Sequence, residues 1–133
     1  MTELLVPISP GELIDKITIL EIKSQRISDA VKLANVRAEL ALLMDTWRVS
    51  AWSAADIGVE WAGLRTVNEK LWVIEDQIRD KERDARFDQE FIELARAVYI
   101  NNDERAAIKR RINTRLGSTL VEEKSYADYQ RKA

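Results

Sequence analysis

The stretch from Ser9 to Arg26 reads SPGELIDKITILEIKSQR, and the fold turns on whether it is a helix. Ser9 can accept a hydrogen bond from the N–H of residue 12, and Glu12 stands where its side chain can reach back to the N–H of Ser9, a capping box. Pro10 falls at the first helical position, where its missing N–H costs nothing and its fixed φ suits a helix. Pro7 keeps the approach extended. At about 100° per residue, Leu13, Ile17, Leu20 and Ile27 share one side, while Ile19 and Ile22 fall roughly opposite. A helix with two apolar stripes belongs at the centre of a bundle or at a subunit contact. The competing reading is a strand, because Ile17-Thr18-Ile19 and Glu21-Ile22-Lys23 partly alternate. The cap, and the lack of Gly or Pro from Glu12 through Arg26, favour the helix.

Composition agrees. Only 4 Gly and 2 Pro in 133 residues argue for long helices over a turn-rich β fold, and the length suits one domain with one core. The chain has no Cys and no His, which removes disulfides, thiolate chemistry, Cys/His zinc sites, Ser-His-Asp triads and haem ligation by His. A net charge of −2 supplies no global field toward nucleic acid or membrane. No apolar run approaches the roughly 20 residues of a membrane span, and the N-terminus has no basic region of the signal-peptide kind. A soluble, cytoplasmic protein is the default expectation.

Outward from the first helix, residues 1–8 form an apolar extended arm. A second helix, capped by Asp29, carries Val36, Leu40, Leu43 and Trp47 at four-three-four spacing. The short connection expects the two to be antiparallel neighbours. Arg48 to Val59 is the least regular stretch, a loop pinned by Trp47, Trp52 and Trp61; an exposed tryptophan there would instead suit a partner surface. A third helix, from about Glu60 to Asp84, carries the stripe Trp61, Leu64, Val67, Leu71, Ile74 and Ile78. Beside it runs Asn68, Trp72, Glu75 and Arg79, in which Glu75 and Arg79 make a helix-stabilising pair. The indole in that row marks either a binding face or the edge of the core. Phe87, Phe91, Leu94 and Val98 predict a fourth helix to about Ile100. Asn101 with Glu104 then reads as the capping box of a fifth, with Ile108 and Ile112 inward and Gly117 as its stop. Residues 117–133 form a partly ordered tail in which Leu120 and Val121 could dock. The expected fold is an all-α antiparallel bundle of four or five helices in a single domain.

Candidate chemistry is sparse. Glu12 with Asp15, and Glu90 with Glu93, make i,i+3 carboxylate pairs. All-helical pyrophosphohydrolases bind magnesium through such pairs, but in another order and spacing, and Glu12 is explained by capping, so no metal or cofactor is expected. Ile14-Asp15-Lys16-Ile17 weakly resembles the opening helix of chorismate mutases. Arg26, Arg37, Arg79 and Arg96 could supply charge to a dicarboxylate in such a site, if they converged. Arg105, Lys109, Arg110, Arg111 and Arg115 could touch phosphates, yet acids at the start of that segment and bases at its end are what the helix dipole favours by itself. Nucleic acid is therefore not the expected partner.

Several longer strings carry a wider likeness. They are Pro7-Ile8-Ser9-Pro10-Gly11-Glu12-Leu13-Ile14-Asp15-Lys16, Val67-Asn68-Glu69-Lys70-Leu71-Trp72 with Glu75-Asp76, Phe91 to Tyr99, Asn102-Asp103-Glu104-Arg105-Ala106 and Glu123-Lys124-Ser125-Tyr126. Over nearly its whole length the chain resembles a bacterial family of unknown function, domain of unknown function 6165. The resemblance implies a stand-alone helical domain, with some relatives near glycosyltransferase or surface-polysaccharide contexts, and it carries over no catalytic residue. The candidate ligand site or polar network is Arg37, Asn68, Trp72, Glu75, Arg79, Arg96, Asn102, Asp103, Arg105 and Lys109, with Asp76 beside them. Such residues fix helix register as often as they do chemistry. The expected function is a non-catalytic interaction or accessory domain, self-associating as a homo-oligomer through Ile19 and Ile22 and open to a protein partner. The alternative is a small enzyme or binder of an anionic metabolite.

Overall fold

A computed structural model describes residues 2–130, and Met1 and the last three residues of the predicted tail lie outside them. Four helices, α1 (Pro10–Arg26), α2 (Ala30–Arg48), α3 (Gly58–Arg83) and α4 (Gln89–Arg115), make up the regular structure, and no strand occurs among the described residues. Residues 17–22 lie within α1, so the alternation there is a coincidence of helical spacing. The start of α1 is held as its cap implies: Ser9 Oγ accepts from the Glu12 N–H at 3.1 Å, and Pro10 opens the helix. The other half of the capping box does not form. The Glu12 carboxylate turns away to Lys109 at 2.7 Å and Lys16 at 3.8 Å, because a full cation outcompetes one backbone N–H.

Helix α1 is the only one of the four, among the described residues, whose backbone lies against all the others; the backbone of α2 lies against α1 alone, and α3 also packs on α4. The shared core is built from Leu13, Ile14 and Ile17 of α1, Trp47 of α2, Leu64 and Val67 of α3, and Ile108 and Ile112 of α4, with Ile57 from the loop before α3. Ile14, Ile17, Leu64 and Ile112 have no exposed surface. Each such side chain is worth roughly 1.5–3 kcal/mol of burial, so this seam is the main source of stability. The second stripe of α1 is also covered inside the chain. Ile22 is only 1% exposed and Ile19 is half-buried. Within one chain Ile22 therefore presents almost no open surface, while Ile19 stands at the wall of a cleft described below.

The two helices expected between Phe87 and Leu116 are one helix of 27 residues. Asp88 caps it, its Oδ1 accepting from the Phe91 N–H at 3.0 Å. Asn101 does not start a new helix; its side-chain N–H donates to the Ala97 carbonyl at 2.8 Å, a bond made one turn back within a continuous helix. No Gly or Pro interrupts residues 89–115, so nothing forces a break. Between α2 and α3, Trp47 meets Trp61 edge-on at a centroid distance of 5.8 Å, and Trp52 packs on the core as a half-buried residue. The tryptophans therefore pin this loop.

Helices α3 and α4 end in the same way. The N–H groups of Ala85 and Arg86 bond back to the carbonyls of Glu82 and Lys81, and those of Gly117 and Ser118 bond back to Thr114 and Asn113. Both are Schellman closures, which place the residue after the cap in the left-handed region. Gly117 sits there at φ 66° without strain, whereas Ala85 sits there at φ 53° with a Cβ. Ala85→Gly is therefore expected to raise stability by about 1 kcal/mol, read as a higher urea midpoint at unchanged m. A destabilised variant would show that the alanine side chain contributes contacts worth more than its backbone strain.

Candidate functional site

Helical spacing brings three polar rows together where α1, α3 and α4 meet. From α1 come Asp15 and Thr18, three apart, with Lys23 further along. From α3 come Asn68, Trp72, Glu75 and Arg79, and from α4 come Asn102, Arg105 and Lys109. Asn68 is the joint between them. Its amide N–H group donates to Asp15 Oδ1 at 2.9 Å and Thr18 Oγ1 at 3.0 Å, and its carbonyl oxygen accepts from Arg105 at 3.2 Å. Thr18 is fully buried, and its hydroxyl donates to the Asp15 main-chain carbonyl at 2.8 Å. The chain of bonds thus runs from α1 through α3 to α4 with each buried group satisfied, the condition under which a polar network stabilises a core.

Two neighbouring hollows open on either side of Arg105. One is a cleft of ≈ 370 Å³ whose walls include Ile19, Lys23, Asn68, Trp72, Arg79 and Arg105. The other, ≈ 270 Å³, is bounded by Lys109 and the tail residues Glu122, Lys124 and Tyr126. Asn102 and Arg105 belong to both. A larger open groove of ≈ 640 Å³ lies along α3, but only side chains of that one helix line it, so it gathers no convergent polar groups.

The electrostatics differ on the two sides. Lys109 is nearly buried and has Glu12 at 2.7 Å, Glu122 at 3.3 Å and Asp15 at 3.9 Å, so its charge is fully used inside the chain. Burial alone would lower its pKa, but the hydrogen bond to Glu12 and the surrounding carboxylates outweigh that and hold it above the ordinary lysine value. For Glu12, burial pushes the carboxyl upward, and the hydrogen bond and charge of Lys109 win, leaving it below the usual carboxylate range. Arg105 is different. Its guanidinium bonds only to amide oxygens, Asn68 at 3.2 Å and Asn102 at 2.8 Å. No carboxylate lies within 4.0 Å of it or of Lys23 among the described residues. Amide oxygens orient a guanidinium without neutralising it.

The residues expected to form the site part company here. Asn68, Trp72, Glu75, Arg79, Asn102 and Arg105 line the cleft. Lys109 lies beside it in the ionic cluster, and Asp103 is turned to Lys124 of the tail at 2.5 Å. Arg37, on α2, and Arg96, on α4, are exposed and line neither hollow. The arginines suggested for a dicarboxylate therefore do not converge: of Arg26, Arg37, Arg79 and Arg96 only Arg79 lines the cleft, where it is already paired with Glu75 at 2.7 Å, and Arg26 is paired with Glu69. In the basic run of α4, Lys109 meets Glu12, Arg110 the Glu122 carbonyl and Arg115 Glu60, while Arg105 and Arg111 meet no carboxylate within 4.0 Å among the described residues. Glu12 and Asp15, read as a carboxylate pair, meet an ammonium, and no metal-holding group of carboxylates occurs among the described residues.

Sequence reasoning missed Thr18, Lys23 and Glu122. Thr18 was legible as a polar residue between Ile17 and Ile19 in a largely apolar helix, a pattern that asks for a buried partner. Glu122 carried no such signal. The tail crosses α4 without regular structure, Leu120 and Val121 stay largely exposed, and it is tied instead by Glu122, Lys124 and the Tyr99–Tyr129 ring contact at 5.0 Å. A family model described as a family of unknown function (DUF6165) matches residues 4–130. No curated protein and no solved structure matches the chain.

Proposed function

The chain belongs to DUF6165, a family of unknown function, and we propose that it is a non-catalytic interaction domain whose α1–α3–α4 cleft holds an anionic group. The observation that carries this reading is Arg105, held in place by two amide oxygens and with no carboxylate within 4.0 Å among the described residues, at the wall of a cleft that also contains Lys23, the half-buried indole of Trp72 and, further along α3, Glu75 and Asp76. A guanidinium so oriented keeps N–H donors for a carboxylate or phosphate, and the pairing is stronger in a half-buried site than in bulk water. Trp72 offers an apolar wall for the body of the ligand. The binder reading is favoured over an enzyme because the cleft lacks a nucleophile paired with a base and because the arginines do not converge on it. The short connections and common core support an antiparallel arrangement of the four helices. Self-association belongs to the same reading, through a face other than Ile19 and Ile22.

The test is a thermal-shift and Trp-fluorescence titration against nucleotides, sugar phosphates, aromatic dicarboxylates and an acidic peptide. A ligand at 100 times its Kd is expected to stabilise the wild type by about 2.7 kcal/mol. Arg105→Met is expected to weaken that binding at least about tenfold, since a hydrogen-bonded charge is lost. The absence of any shift across all four classes, or unchanged binding by a folded Arg105→Met protein, would remove the reading.

A further inference from the structure

Helix α2 leaves most of its surface unused. Its backbone lies against α1 alone, and its only buried residue, Trp47, is also the one that reaches α3, at Trp61. Leu33, Val36, Leu40, Leu43 and Met44 are half-covered on the inner side. The opposite side carries Val31, Ala34, Asn35, Ala38 and Leu42, which recur at three-, four- and seven-residue intervals and so form one stripe. Every one of these is exposed, Val31 at 73% and Leu42 at 48%. Along one edge of the stripe stand Lys32 and Glu39, seven residues and two turns apart. Neither meets an opposite charge of its own chain within 4.0 Å among the described residues. The other charges of α2 are Arg37 on the far edge and Arg48 paired with Asp45 at 2.8 Å.

We propose that this outer stripe is a self-docking surface, on which a second copy of the chain lays its own α2 antiparallel about a two-fold axis. In an antiparallel helix pair, like edges face one another. An axis at the level of Asn35 and Val36 then sets Lys32 against Glu39 of the second copy, and the symmetry repeats the pair, so both unpartnered charges are matched at once. The same register brings Ala34 close to Ala38 of the second copy. The small alanine side chains let the helix axes approach closely, toward about 8 Å. Asn35 falls beside its own symmetry mate, a polar contact of the kind that fixes register in a helical pair. One face of a 19-residue helix is small for an interface, below about 1,200 Å² in total, so the dimer is reversible and half-dissociated in the micromolar range. The proposal shares the interaction-domain reading above, but it does not depend on the cleft, and its readout involves no ligand.

Charge reversal decides it. In sedimentation velocity across a concentration series, the wild-type full chain is expected to shift from monomer to dimer. Lys32→Glu sets carboxylate against carboxylate at both ends of the pair, and Glu39→Lys does the same with ammonium groups, so each variant alone should dimerise at least about tenfold more weakly. Mixing the two variants restores both opposite-charge contacts in the heterodimer, and association should return. Both substitutions are on exposed positions, and circular dichroism confirms that each variant is folded. A wild type that stays monomeric to millimolar concentration overturns the proposal. So does a dimer indifferent to both reversals, which would rest on another surface such as the exposed arm around Leu4, or a mixture that associates no better than its components.

Discussion

Gly11→Ala is expected to lower the stability of this protein by about 2 kcal/mol, although alanine is the better helix former. Gly11 is the second residue of α1, where the helix passes directly over α4. A Cβ built there would lie 2.5 Å from the backbone oxygen of Lys109 and 2.9 Å from Asn113 Oδ1. A backbone oxygen cannot swing aside as a long side chain can, so α1 and α4 must separate. That movement also strains the bond from the Gly11 N–H to Asn113 Oδ1, 2.8 Å long, which satisfies one of the free donors at the start of α1. The control is Gly63→Ala. There the nearest atom to a new Cβ is Ile108 Cδ1 of α4 at 3.4 Å, an ordinary van der Waals contact with the end of a flexible side chain, so that variant should be neutral or gain up to about 1 kcal/mol. Urea midpoints of the two variants separate these outcomes. Equal effects at both sites would mean that α4 yields easily, and the close approach would then have no energetic weight.

The larger loss is expected from Lys109→Met, about 3 kcal/mol at neutral pH, because the substitution leaves Glu12, Asp15 and Glu122 around a position that no longer holds a cation. The pH dependence distinguishes lost charge from lost packing. In the wild type the Glu12 carboxyl is held below its ordinary value of 4.5, so its contribution is present above that value and is lost as pH falls through the lowered one. Lys109 is held above its ordinary value of 10.5, so its contribution is present below that value and disappears only as pH rises beyond the raised one. The cluster is thus fully formed at neutral pH. In Lys109→Met the carboxylates can relieve their repulsion by taking up protons on acidification. The stability gap between variant and wild type should accordingly narrow between pH 7 and pH 4. A gap that is constant over this range would assign the whole effect to packing of the lysine stem.

Several features of the candidate site were legible in the residues themselves, and the reasons are local. The row Asn68, Trp72, Glu75 and Arg79 is a matter of helical spacing, and so is the relation of Asn102 to Arg105. What spacing does not say is which rows face each other. Arg37 and Arg96 occupy equally good helical positions, yet α2 sits away from the cleft and Arg96 lies on another side of α4. Asn101 shows the limit from the other direction. Asn-x-x-Glu marks a helix start only if the preceding residues leave the helix, and here they do not.

The residues alone determined that residues 10–26 form a helix, because Ser9, Pro10 and the run without breakers act within a turn of one another. They also determined the apolar stripes of α2 and α3, the stop at Gly117 and the exclusion of His and Cys chemistry. Only the tertiary structure decided that Glu12 serves Lys109 instead of its own cap, that Ile22 is covered within one chain, that Gly11 must lack a side chain, and that Arg105 bonds amide oxygens instead of a carboxylate. Capping and periodicity depend on neighbours a few residues away, where backbone geometry is fixed. The partner of a charge, and the space beside a backbone, depend on helices about a hundred residues apart in the chain, whose meeting is set by packing of the whole core.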